Sequence, residues 1–349
     1  MTPRTVSILL LTAIISVAAA TYGVSTRVDY QSTDFRGERL FPGLLENAGN
    51  VGEVTLLQNG DTMTFIRKDD IWTLKQSGGY PVHANLVNKV IFGLSNMELL
   101  EPRTRKPELF AELNLGDPSK KKSSAQQVTL KSSSGEMIAD LVIGRANFFL
   151  PETTTGGMYV RRPGEDQTWL VRGLVDIGVE PRDWLIRDIV DIKPERIVRA
   201  EVTQPDGEKL IVIPKEGVTG SFAFENMPEG MKLKSEFAPR NIAAVLNGFV
   251  LNDVRPAADV ALAPEDAYVT EFFSVDAIHV TTRMWQQDKT HYMTVAAAYI
   301  GDDANSDAAK QANAIAARTQ GWAYIIPDYQ YEQIAKKMTD VTEKSQPDS

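Results

Sequence analysis

The chain has 349 residues, a net charge of −9, 43% hydrophobic and 24% charged residues, and no cysteine. Disulfides, zinc–thiolate sites, iron–sulfur sites and thiol nucleophiles are therefore excluded, and stability must rest on core burial, which a chain of this length can supply. The acidic balance argues against nucleic acid or an anionic lipid surface as the main partner.

The first element is Val6 to Val24, VSILLLTAIISVAAATYGV, the one long apolar run, without a charge. In helix it reaches about 28 Å at roughly 1.5 Å per residue, close to the roughly 30 Å of a hydrocarbon core. Val6, Leu10, Ile14 and Val24 mark this expected membrane segment. Arg4 precedes it, and Arg27, Asp29 and Asp34 follow, so the N-terminus is expected inside and the bulk of the chain outside. The rival reading is a cleaved signal peptide, with Arg4 as n-region, Val6 to Val17 as h-region and Ala18-Ala19-Ala20 as the cleavage site. Tyr22, placed as an interfacial aromatic, favours the anchor. Both readings export the remainder of the chain.

After a polar spacer, Val51 to Gln58 and Thr62 to Arg67 flank Asn59-Gly60-Asp61, the pattern of a β-hairpin. Ile71 to Leu74 reads as a third strand, broken by Ser77-Gly78-Gly79-Tyr80-Pro81. The spacing of Leu86, Val87, Val90, Ile91, Leu94 and Met97 predicts an amphipathic helix from Asn85 to about Leu100, ended by Pro102. Strands follow at 127–130 and 137–143, and a hairpin joins Met158 to Val160 with Trp169 to Val171. Pro181 to Val190 reads as a short amphipathic connector helix. The pattern then restarts: a hairpin over 197–213, a strand at Ser221 to Phe224, and a helix opened by Pro239 with Ile242, Val245, Leu246 and Phe249 as its stripe. A hairpin over Ile278–Tyr299, a helix at Ala308–Arg318, a strand at Trp322–Ile326 and a short helix at 331–338 complete the series.

The two halves line up at an offset of about 150 residues. Glu53-Val54-Thr55 matches Glu201-Val202-Thr203, and Val90 to Leu94 matches Val245 to Phe249. Pro102 matches Pro256, Val128-Thr129 matches Val280-Thr281, and Trp169 matches Trp322. The expected fold is α+β: an N-terminal transmembrane helix, then two duplicated lobes of antiparallel β-hairpins, each covered by one amphipathic helix. The expected boundaries are an anchor or signal peptide at 1–27, a spacer at 28–50, a first repeat at 51–175, a connector at 176–196, a second repeat at 197–340 and a disordered tail at 341–349.

No constellation for chemistry stands out. His279 and His291 lie on opposite arms of one hairpin, where a metal pair is a geometric option, but strand histidines are more often part of a half-buried surface. Asp302 to Asp307 resembles the opening of a calcium loop but lacks its glycine and its closing glutamate. Capping of the helix at Ala308 explains that cluster better. Lys120-Lys121-Lys122 sits in a Ser-rich loop and reads as solvated. There is no phosphate loop and no nucleophile elbow. Trp322, Tyr324, Tyr329 and Tyr331 crowd the C-terminal region. Core packing is the favoured reading of them, and a binding edge for a protein or a glycan is the functional one, which makes them the candidate interaction surface. No catalytic, cofactor or metal residue is assigned, and no enzymatic activity is expected.

The stretch Asn313 to Tyr329, in which a helix leads to Gly321-Trp322-Ala323-Tyr324 and Pro327, resembles the end of the repeat in the DUF4340 family. The segment Asn85 to Leu94, the Trp72 strand and the N-terminal apolar run are similar to that family too. The resemblance implies no catalytic residues. It implies an envelope protein of the kind that accompanies ABC-2-type exporters: anchored in the bacterial inner membrane, with its bulk in the periplasm and with protein partners there. The alternatives are a periplasmic solute- or glycan-binding module using a cleft between the lobes, and a hydrolase with unrecognised acidic residues.

Overall fold

The computed structural model describes residues 37–150, 155–261 and 264–345, together with Ser16. Val6, Leu10, Ile14 and Val24 lie outside the described residues. Among the described residues no helix is long and apolar enough to cross a membrane. The described residues form two compact units, divided at 72/73, 83/84 and 179/180: the first holds those up to 72 and from 84 to 179, the second those from 73 to 83 and from 180 on. Each is a mixed α+β lobe around an antiparallel sheet.

In the first lobe β1 (Val51–Gln58), β2 (Asp61–Lys68) and β3 (Ile71–Leu74) form a meander. Asn59 and Gly60, at φ 54° and 79°, supply the two left-handed positions that a tight hairpin turn needs. Beyond β3 comes the short β4 (Tyr80–Pro81), which belongs to the second unit. The helix Ala84–Ser95 follows, then β5 (Glu98–Pro102), β6 (Gln126–Ser132), β7 (Met137–Asn147), β8 (Gly157–Arg161) and β9 (Thr168–Arg172). Within the first lobe the strands run in the order β3-β2-β1-β6-β7-β8-β9-β5. The helix buries Val87, Val90, Ile91 and Leu94 of the expected stripe, leaves Leu86 half-buried, and ends before Met97. It stops at Ser95 rather than Leu100, because Glu98 to Pro102 are drawn into pairing with β9, a tertiary gain that overrides local helical preference. Leu141, Val142 and Ile143 are all buried. Alternate residues of a strand face opposite sides, so apolar material covers both faces of β7, with Phe110, Leu115 and Ala125 packed around Val142.

The second lobe contains β10 (Ile197–Thr203), β11 (Lys209–Pro214), β12 (Phe222–Phe224), β13 (Met231–Leu233), β14 (Asp253–Pro256), β15 (Tyr268–Ser274), β16 (Ile278–Gln287), β17 (Thr290–Tyr299), β18 (Trp322–Ile326) and β19 (Thr342–Lys344). Its main sheet runs β12-β11-β10-β15-β16-β17-β18-β14. Counting the sheet strands of each lobe in chain order, both sheets read 3-2-1-5-6-7-8-4. Pro102 lies opposite Trp169 and Pro256 opposite Trp322 in the matching strand pairs. The register of the first strand slips near its start in both lobes, between Val51 and Glu53 and between Ile197 and Arg199.

Several expectations change. Val128 lies in β6 and Val280 in β16, so they are not equivalent; the counterpart of β6 is β15. Val245, Leu246 and Phe249 are buried like Val90, Ile91 and Leu94, but they follow a short helix that spans only Ala238–Ala243. Gly248, at φ 68°, turns the chain there. The longer helix of this lobe is Asp307–Thr319, lying against β16 and β17, whereas the first lobe joins β8 to β9 by a hairpin. The expected connector helix shrinks to the single 3-10 turn Pro181–Asp183, since Trp184, Leu185, Ile189 and Val190 are each buried in irregular chain. The tail is not disordered from 341: β19 pairs with β13.

The segment 73–83 is the second lobe's least local part. Thr73 and Leu74 pair with Pro81 and Tyr80, Val82 bridges to Leu185, and the amide of His83 donates to the Trp184 carbonyl at 2.9 Å. Buried Ser77 donates its hydroxyl to Asp253 Oδ1 at 2.6 Å. Gly78 has φ +68°, and a Cβ there would stand 2.4 Å from the Pro256 ring; Gly79 has φ +83° with open space around it. Replacing Gly79 by Ala is expected to cost only the left-handed penalty of about 1–2 kcal/mol. Gly78→Ala adds a clash and is expected to cost about 2–4 kcal/mol. Urea unfolding followed by circular dichroism separates the two, and equal losses would contradict this packing.

Candidate functional site

The four C-terminal aromatics form three different environments within the second lobe. Trp322 and Tyr324 share one face of β18, as strand alternation requires, and both meet Tyr80. The Tyr80–Trp322 and Tyr80–Tyr324 ring centroids lie 5.0 and 6.3 Å apart at edge-to-face angles. Phe249 closes on Tyr324 from another side at 5.8 Å. Tyr324 is wholly buried, and Trp322 is half-buried. The Tyr80 hydroxyl donates to the Ile186 carbonyl at 3.2 Å. Burial pushes the phenols of Tyr80 and Tyr324 above their ordinary value, because the charged phenolate loses its solvation there.

Tyr331 occupies the second environment. It stands on the helix Asp328–Ile334, stacks on His291 at 4.1 Å and meets Tyr268 edge-on at 5.6 Å. His291 Nδ1 lies 3.0 Å from Asp328 Oδ1. The carboxylate in the helix's first turn thus orients an imidazole that Tyr331 shields from water. Burial raises the Tyr331 phenol as well.

Tyr329 makes the third environment and faces solvent, 54% exposed. It lines a cavity of about 210 Å3 with Asn241, Asn247, Gln330 and Gln333 around the Gly248 turn, and none of the residues in its wall is charged. Asn247 Nδ2 donates to Asp191 Oδ1 at 2.8 Å. Gln330 is buried, and its Oε1 meets no donor among the described residues. An aromatic ring beside several amides can hydrogen-bond and stack with a neutral polar group.

The other singled-out residues are placed apart. His279 lies opposite Ala298, stacked on Phe273 at 4.6 Å, while His291 lies opposite Gln286 near the far end of the hairpin. The two cannot share a metal ion, and among the described residues no three His, Asp or Glu side chains are grouped to hold one. In the acidic loop, Ser306 caps the helix by accepting from the Ala309 amide, and Asp303 accepts from the Asn305 amide. The basic loop is pinned to the first hairpin: Lys121 pairs with Asp61, both exposed, and the Lys122 amide donates to Asn59 Oδ1. The amides of the Tyr329 cavity escape sequence reading because they come from two segments far apart in the chain. Only the repeated Asn and Gln around the two turns hints at them.

A family model described as Domain of unknown function (DUF4340) matches residues 72–271. The match takes in Asn85 to Leu94 and ends before Asn313 to Tyr329. No curated protein and no solved structure matches the chain.

Two outcomes follow for the aromatics. Tyr324→Ala should cost about 3–5 kcal/mol, as for a core aromatic, whereas Tyr329→Ala should stay within about 0.5 kcal/mol; chemical denaturation of both variants reads the difference. The raised phenols of Tyr80, Tyr324 and Tyr331 favour the protonated, folded state. Their contribution is complete below about pH 10 and is lost as pH rises beyond it. Tyrosinate absorbance should therefore show a late step coinciding with unfolding, and Tyr324→Phe should diminish that step.

Proposed function

The chain belongs to the DUF4340 family, and from that premise we propose that it is a periplasmic accessory or scaffold protein of an envelope complex. In this reading one N-terminal helix holds it in the bacterial inner membrane, and two lobes descended from a single duplicated repeat engage protein partners, in association with an ABC-2-type transport system. It is a non-enzymatic role.

The observation that carries the reading is the repeated strand order. Two sheets with the same connectivity, each with a Pro–Trp pair at the same place, support duplication more strongly than the sequence matches do. Two similar bodies behind the charge-free run Val6 to Val24 suit a device that positions partners at a membrane. The outermost strand β5 is also covered, with the amides of Gly37 and Leu99 donating to Leu99 and Glu38 carbonyls. Such cover blunts edge-to-edge aggregation and leaves loops and sheet faces for recognition. A second reading, a periplasmic binding module, draws on the uncharged Tyr329 cavity.

Photo-crosslinking of the full-length chain in native membranes, followed by purification, tests the scaffold. The expected product is a defined adduct with another envelope protein. A chain that purifies alone and monomeric would remove the scaffold reading. N-terminal sequencing tests the anchor separately: a start at Thr21 would leave export intact and abolish the tether.

A further inference from the structure

The first lobe contains a cavity of about 430 Å3 between the loop 107–120 and the strands β7 and β8. Its walls are largely apolar, with Pro107, Phe110, Pro118, Val142 and Pro163 among them. Arg161, the last residue of β8, stands in this wall. Its guanidinium lies over the Phe110 ring at 4.9 Å. The hydrogen bonds it makes go to backbone carbonyls, those of Leu115, Arg162 and Glu165, and all are long at 3.4–3.5 Å. Its Nε is buried without a partner among the described residues.

A guanidinium has five donors in a planar fork suited to a carboxylate. Arg161 uses few of them, and those weakly. It is half-buried, and the loss of solvent pulls its pKa down, disfavouring the charge; Asp166 and Asp117 only partly offset this. Neither acid forms an ion pair with it. The Asp117 Oδ1 is occupied by the Ser119 amide and hydroxyl, at 2.9 and 2.7 Å. Lys120, also in the wall, adds a second positive charge. Tyr159, packed on the same apolar cluster, has the guanidiniums of Arg103 and Arg145 over its ring at 5.7 and 5.6 Å. A desolvated cation without a contacting counter-ion is costly, and an incoming anion relieves that cost.

We infer that this cavity is a carboxylate-binding site, in which Arg161 holds the carboxylate and Phe110, Val142 and the prolines hold a compact apolar body. A single negative charge fits better than a dianion. Asp117 sits in the same wall, and the chain as a whole carries −9, although charges beyond about 8–10 Å are largely screened at physiological salt. The carboxylate can come from a free organic acid or from the C-terminus of a protein partner, and the two share this chemistry.

The test uses the full-length chain, 15N-labelled in detergent, titrated with benzoate, with an acetylated peptide ending in phenylalanine, with benzamide and with phenyl phosphate. Benzoate or the peptide should shift the Arg161 Nε–Hε resonance saturably, and the one that binds more tightly names the source. Arg161→Gln should weaken binding by about tenfold or more, and Lys120→Met by roughly two- to fivefold. The thermal midpoint of each variant shows whether it is folded, and the comparison of benzoate with neutral benzamide on the wild type needs no variant. Equal binding of benzamide, a clear preference for phenyl phosphate, or the absence of any saturable shift would each overturn the assignment.

Discussion

The second lobe depends on eleven residues that precede it in the chain by about a hundred positions. Thr73 to His83 leave the first lobe within β3 and pack as part of the second. Tyr80 is the anchor: its ring abuts Trp322 and Tyr324, and its hydroxyl is satisfied by Ile186. Burying an aromatic of that size contributes about 1.5–3 kcal/mol, while closing a long loop grows only logarithmically more costly with length. Gly78 against Pro256 and Ser77 on Asp253 set the segment beside β14. Without it, Tyr324 would lose its covering ring and the outermost strand its neighbour.

The edge strands give this dependence its wider meaning. In each sheet the fourth strand in chain order is placed last, outside the eighth. An edge strand exposes unpaired backbone groups. The first lobe covers its edge with the spacer residues Gly37 to Leu40, which bond to Met97 and Leu99. In the second, the segment 73–83 packs beside β14 through side chains, Ser77 on Asp253 and Gly78 against the Pro256 ring. The same connectivity is thus completed by different stretches of chain, and the two lobes differ most where their edges are closed and where the helix Asp307–Thr319 is added.

The C-terminal aromatics illustrate how burial divides a uniform-looking motif. Four rings within ten residues fall into a core contact, a stacked imidazole pair and one exposed face. Tyr329 is the exposed ring of the four, beside a cavity whose amides come from the Asn241–Gly248 region and from its own helix. In the first lobe the opposite chemistry prevails, with Arg161 set in an apolar wall among proline and phenylalanine. Neither place is marked by a motif, because neither is made from neighbouring residues.

Elements whose signals are local are legible from the residues alone. Asn59-Gly60 sets a tight turn, the stripe Val87-Val90-Ile91-Leu94 sets a helix, the polar cluster Asp302 to Asp307 marks a helix start, and the strand pattern Trp322–Ile326 has the bounds of the folded strand. The Pro102–Pro256 and Trp169–Trp322 matches also point to equivalent positions, since the same Pro–Trp strand pairing recurs in both lobes. Helix and strand periods and turn dihedrals are written within a few residues, which is why they can be read. Other outcomes have no local code: that Glu98 to Pro102 end as a strand rather than a helix, that Thr73 to His83 serve the other lobe, that Tyr324 is core while Tyr329 is not, and that Arg161 stands in an apolar cavity wall with no carboxylate in contact among the described residues. Each depends on which distant surfaces meet, and burial gain between remote segments outweighs the fraction of a kilocalorie per residue that propensity supplies.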